Sequence, residues 1–159
     1  MSDNRFILNG VLAFSILSLS IAYFIQYILE HKPCNLCIVE RIPYLSAIVL
    51  ISLIFIVRRF EIIFSTIVLL FFILGVLISF YHVGIEQGFF EESFVCNLEN
   101  SGANLSKEQI LKQLEKAPIS CKEVTFRFFG LSLATINTII SIILSGTMFK
   151  VIKNYGQNK

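Results

Sequence analysis

Four long apolar stretches divide this chain, and the polar segments between them are short except for one. Phe6–Leu29 runs 24 residues without a charge, Ile62–Ile85 is broken only by His82, and Phe128–Phe149 forms a fourth run. Each is near the ~20 residues that a helix needs to cross a bilayer. The remaining run, Ile42–Val57, is only 16 residues. Extending it back to Cys34 gives 24 residues, roughly 36 Å of helix. Pro33 would then stand at the helix start, where a missing N–H is harmless. Pro43 would kink or interrupt that helix. The pattern therefore predicts an all-α fold, an integral membrane four-helix bundle forming one domain over 1–159. Its spans are at about 6–29, 34 or 42 to 57, 62–85 and 128–149.

Composition supports this class. The chain is 55% hydrophobic and 15% charged, with a mean hydropathy of +0.77, whereas soluble domains carry about 25% charged residues. The net charge of +2 and the lack of a basic run give no reason to expect nucleic acid as a partner. The first apolar run is too long for a cleaved signal and no Ala-x-Ala-like site follows it, so it reads as a retained first span.

Four spans leave five aqueous segments, and two of them, 30–41 and 86–127, must face the same side. All four cysteines lie there, Cys34 and Cys37 in one, Cys96 and Cys121 in the other. The opposite segments hold six Lys/Arg in 19 residues, against seven in 54 on the cysteine side. That density, with the Arg58-Arg59 pair, places the cysteine-free side in the cytoplasm and the cysteines outside, where disulfides persist. Tyr23 and Tyr27 close the first span at the depth where tyrosines anchor a membrane interface.

The chemistry concentrates in Pro33-Cys34-Asn35-Leu36-Cys37-Ile38-Val39-Glu40-Arg41. On a continuous helix Cys34, Cys37 and Arg41 would fall on one face. A helix N-terminus and a guanidinium both favour thiolate, the nucleophilic form, and Arg41 stays charged in a poorly hydrated site. His82 and Glu86 are one turn apart at the outer end of the third span, so His82 is a candidate proton relay. In 86–127, Leu105-Ser106-Lys107-Glu108-Gln109-Ile110 has the form of a capping box with a hydrophobic staple. It predicts a short amphipathic helix that Pro118 ends near Ala117. Cys96 and Cys121 flank it, and two dithiols on one surface suggest exchange. Gly130 and Ser132 read as small residues that let the fourth span pack closely. No Asp, Glu, Lys or Arg falls inside the spans as bounded here, which argues against an ion pathway.

These residues resemble the DsbB family of membrane disulfide oxidases. The likeness covers nearly the whole chain and rests on four features. They are the Cys34–Arg41 motif, Tyr81-His82-Val83-Gly84-Ile85-Glu86-Gln87-Gly88, Cys96 with Cys121, and Arg127-Phe128-Phe129-Gly130-Leu131-Ser132. One departure is Thr125-Phe126, where many relatives carry Pro-Trp. The chain also resembles vitamin K epoxide reductases in kind, but with the order of its cysteine pairs reversed.

The resemblance implies a bacterial inner-membrane protein with both termini in the cytoplasm and its cysteines in the periplasm. It implies a DsbA-like soluble thiol oxidase as partner and ubiquinone or menaquinone as electron acceptor. Cys34 and Cys37 match the quinone-facing pair, with Cys37 as the thiolate at the ring. Arg41 matches the residue that holds the quinone, with His82 as a weaker candidate for that site. Cys96 and Cys121 match the pair that exchanges with the partner, with Cys96 as the mixed-disulfide site.

Two other readings stand beside it. One is a small structural membrane scaffold with two static disulfides. The other is a metal site of four thiolates, which the wide spacing of Cys96 and Cys121 disfavours; no metal ligand set is expected.

Overall fold

The computed structural model describes residues 2–91, 121–122, 127–128 and 130–157. Within them the chain is a bundle of four helices long and apolar enough to cross a membrane. Helix α1 is Ser2–Tyr27, and the second span is split into α2, Asn35–Val39, and α3, Ile42–Ile56. A single 3₁₀ turn, Arg58–Phe60, joins α3 to α4, Glu61–Glu86. Strands β1, Arg127–Phe128, and β2, Leu131–Ser132, pair antiparallel ahead of α5, Leu133–Gln157.

The split in the second span settles where it starts. Cys34 is the N-cap of α2, its sulfur accepting the backbone N–H of Cys37 at 3.2 Å. The bonding tightens at Arg41, whose N–H goes to the Ile38 carbonyl at 3.1 Å while the backbone stays helical, and α3 follows with Pro43 in its first turn, where a missing N–H leaves no bond unmade. Pro43 is buried against α4. Gly75 makes room for it, since a Cβ there would stand 3.1 Å from the proline Cγ.

The last span begins later than its apolar run suggests. Helix α5 starts at Leu133, not Phe128. Gly130 lies in the preceding hairpin turn at φ +83°, a backbone region open to glycine without steric cost. Among the described residues it packs no helix, since a Cβ on Gly130 would meet none of them within 4 Å. Ser132, itself buried, also caps α5, its hydroxyl accepting the N–H of Thr135 at 3.2 Å. The expected helix around Ser106–Ala117 and Cys96 lie outside the described residues.

All four spans supply the core. Leu8 and Val11 of α1, Ala47, Ile51 and Ile54 of α3, Val68 and Phe72 of α4, and Leu144, Met148 and Val151 of α5 form one buried cluster. Leu17, Leu70, Leu77 and Ile143 remain exposed, as lipid-facing residues do. At one end, Arg5 pairs with Glu61 at 3.5 Å and Asn154 donates to Asn4 at 3.1 Å. The start of α1, the start of α4 and the end of α5 therefore meet there. Cys34, Cys37 and Cys121 gather at the other end.

Candidate functional site

The site is built where α2, the end of α4 and the start of α5 converge. Cys34 is 6% exposed and lies in one buried cluster with Leu36, Ile85 and Cys121. Cys37, Ile78 and Tyr81 pack against that cluster. Cys34 and Cys37 are free thiols, whereas Cys121 is disulfide-bonded. The structure thus brings Cys121 to the Cys-x-x-Cys motif although 83 residues lie between Cys37 and Cys121.

Cys34 faces two partners that favour its thiolate. Its thiol is pulled down from 9.0 to about 5, first by its hydrogen bond with the Cys37 side chain. Desolvation opposes that pull and His82 assists it. The His82 Nε2 atom is 3.5 Å from the Cys34 sulfur. The other ring nitrogen, Nδ1, is 2.8 Å from Glu40 Oε1. Glu40 Oε2 accepts from Asn137 Nδ2 at 2.9 Å, and the same amide nitrogen donates to Ser79 Oγ at 2.7 Å. Asn137 Oδ1 takes the hydroxyl of Tyr44. A carboxylate accepts only, so the amide of Asn137 must turn its nitrogen to Glu40, and the His82 proton sits on Nδ1. A continuous chain of polar contacts therefore runs from Cys34 through His82 and Glu40 to Asn137.

This chain was only partly visible in the sequence. His82 was a candidate, but Glu40, Asn137, Tyr44 and Ser79 were not. Glu40 is 7% exposed, within the second membrane-span helix pair. The expectation that no ionisable residue enters a span is therefore corrected. The short run Ile42–Val57 had excluded Glu40 from the helix that carries it. One signal was available: Asn137 is a carboxamide inside an apolar run, and polar groups within a span usually find polar partners.

Arg41 follows Glu40 with helical backbone angles and so points about 100° away from it around the helix axis. It turns to α1, where Nη1 donates to Gln26 Oε1 at 2.6 Å and the guanidinium lies 4.9 Å from the Tyr23 ring centre. Tyr23 in turn stacks on Tyr27 at 6.1 Å. Below it, an apolar groove open to the lipid face runs between α3 and α4, lined by Ile42, Leu45, Ser46, Val49, Leu50, Ile67 and Phe71.

The family model described as "Disulfide bond formation protein DsbB" matches residues 4–151, nearly the whole chain. The chain belongs to the DsbB family. DsbB proteins act in disulfide bond formation, so the chemistry of this DsbB-family chain is thiol oxidoreduction, carried out by a multi-pass membrane protein. A curated relative, "Uncharacterized protein RP370" of Rickettsia prowazekii (strain Madrid E), is 31% identical over 145 residues, covering 89% of this chain and 84% of the relative.

Proposed function

We propose that this protein reoxidises a soluble thioredoxin-fold dithiol oxidase of the DsbA type and passes the electrons through two cysteine pairs to a quinone. The observation that carries the reading is the common burial of Cys34 with the disulfide-bonded Cys121. Exchange between two dithiols needs a sulfur of one beside a sulfur of the other.

The steps balance as follows. The reduced partner attacks the Cys96–Cys121 disulfide at Cys96, leaves as a disulfide, and leaves Cys96 and Cys121 as thiols. The Cys121 thiolate attacks Cys34 of a Cys34–Cys37 disulfide, and Cys37 departs as thiolate. Cys96 then displaces Cys34, which restores Cys96–Cys121 and leaves the Cys34/Cys37 pair reduced. A cluster that buries Cys34 with Cys121 and packs Cys37 against it supports exchange between the pairs over two separate static disulfides.

A quinone, ubiquinone or menaquinone, supplies an acceptor for two electrons and two protons. The residues at this edge suit such a group. Cys37 is less buried than Cys34. Arg41 has five N–H donors, of which the described residues take one. The groove that begins at Ile42 suits an isoprenoid tail. His82, fixed through Nδ1 by Glu40, can accept the Cys34 thiol proton at Nε2 and hand it on. The cysteine end lies in the periplasm and both termini in the cytoplasm of a bacterial inner membrane, in keeping with the basic residues Arg5, Lys150 and Lys153 at the other end.

Thiol trapping with and without added quinone tests this. A reduced DsbA-type protein and a soluble quinone analogue should cycle all four cysteines, and Cys37→Ser should abolish quinone reduction while leaving the protein inserted. Full turnover by Cys37→Ser would refute the electron path.

A further inference from the structure

The reduced site has a second capability, carried by donor atoms that converge from two helices. The ligand atoms of Cys34, Cys37 and His82 all lie within 4.8 Å of one another. With Nδ1 committed to Glu40, the histidine donor is Nε2, 3.5 Å from the Cys34 sulfur. A tetrahedral zinc ion with Zn–S near 2.3 Å and Zn–N near 2.05 Å sets its sulfur and nitrogen ligands about 3.5 Å apart. The Cys34–His82 pair already has that spacing, and Cys37 lies within 4.8 Å of both.

Glu86 supplies an independent observation. Its side chain is 8% exposed, and Oε1 lies 3.9 Å from His82 Nε2. Its other oxygen, Oε2, is buried without a hydrogen-bond partner among the described residues. A buried carboxylate oxygen left unpaired is costly, and a cation beside His82 would relieve it. Glu40 meets a further requirement. A metal-binding histidine nearly always gives its second nitrogen to a carboxylate or carbonyl, which fixes the ring, and Glu40 does this while itself held by Asn137.

We propose that the reduced Cys34/Cys37 pair, with His82 and Glu86, is a binding site for zinc or another borderline-soft divalent cation, and that the metal holds the protein off. Two thiolates and an imidazole select zinc over magnesium or calcium. Binding is written Zn²⁺ plus two thiols giving a zinc dithiolate and two protons. No electrons move, and neither sulfur remains free to attack. Oxidation of the pair to a disulfide removes two ligands and releases the ion, so metal and electron acceptor compete for one reduced dithiol. The proposal needs only that the pair can be reduced; it does not depend on quinone as the acceptor.

Cobalt(II) is the probe, because tetrahedral thiolate sites colour it. A Cys96→Ser/Cys121→Ser protein in detergent, reduced and kept anaerobic, leaves only the proposed thiols. It should bind one cobalt per chain, with visible ligand-field and thiolate charge-transfer bands that equimolar zinc bleaches. The same protein oxidised at Cys34–Cys37 should show no bands, a comparison free of any folding defect. His82→Ala should lose them, and Glu86→Gln should shift the ligand-field bands. Glu40→Gln should keep the band shape and weaken affinity about 10- to 100-fold. No bands in the reduced protein, or bands that persist in the oxidised protein or in His82→Ala, would overturn the proposal. Loss of quinone reduction alone would bear on the electron path and leave the metal result standing.

Discussion

His82 stands between a carboxylate and a thiol, with Nδ1 2.8 Å from Glu40 Oε1 and Nε2 3.5 Å from the Cys34 sulfur. An imidazole held in this way presents a fixed nitrogen to the sulfur, which is what a proton carrier for thiol chemistry requires. Positioned acid–base groups typically contribute about 10²- to 10⁴-fold. His82→Ala should therefore slow single-turnover quinone reduction by about 10²-fold or more, with Glu40→Gln intermediate. Stopped-flow absorbance of the quinone is the measurement, and a wild-type rate in His82→Ala would remove the histidine from the reaction.

The Cys34 thiol gives a pH signature. Its value is depressed from 9.0 to about 5, so the reactive thiolate prevails above about pH 5 and is lost as pH falls through it. Site-resolved alkylation of Cys34, followed by mass spectrometry, should show that midpoint. Cys37→Ser should raise it, because the Cys37 side chain is the first cause of the depression. A midpoint near 9 in the unmodified protein would contradict the assignment.

Asn137 holds three groups: Glu40 at the α2–α3 junction, Ser79 of α4 and Tyr44 of α3. Replacing it with alanine leaves a buried carboxylate short of a donor, at a cost of about 1–3 kcal/mol. Asn137→Ala should lower the thermal midpoint in detergent, and Asn137→Asp should lower it more by adding a second carboxyl beside Glu40. Thermal unfolding followed by circular dichroism decides this, with unchanged midpoints as the opposing result.

Arg41 should show itself in substrate affinity. Arg41→Ala should raise the apparent KM for quinone with a smaller effect on kcat. Arg41→Lys should fall between the two, since lysine keeps the charge but not the planar fork that lies over Tyr23. Steady-state kinetics over a range of quinone concentrations makes the comparison, and equal KM values in all three proteins would place the quinone elsewhere.

Gly84 is tied to the exit of α4. A Cβ on it would run into the Phe90 ring, and Phe90 stacks on Tyr81 with ring centres 5.5 Å apart. Gly84→Ala should push the ring off Tyr81, an overpacking cost of about 1–3 kcal/mol. Thermal unfolding in detergent would register it, and an unaltered midpoint would mean that Phe90 moves aside freely.

The hydrophobic pattern alone determined the four spans, and counting crossings put Cys34, Cys37 and Cys121 at one end, because a bilayer leaves a helix few other ways to satisfy its backbone. The Cys-x-x-Cys motif with Arg41 located the chemistry for a related reason, since reactive groups must be specific residue types wherever they sit. What only the tertiary structure decided is which polar groups meet. Glu40 faces His82 while its neighbour Arg41 turns to Gln26; adjacent helix positions point about 100° apart, but which partners stand opposite them is set by the packing of the bundle. Asn137 reaches Glu40 across 97 positions, and no local periodicity encodes such a distance. Helix–helix packing brings those side chains together, and burial makes each of them take a partner.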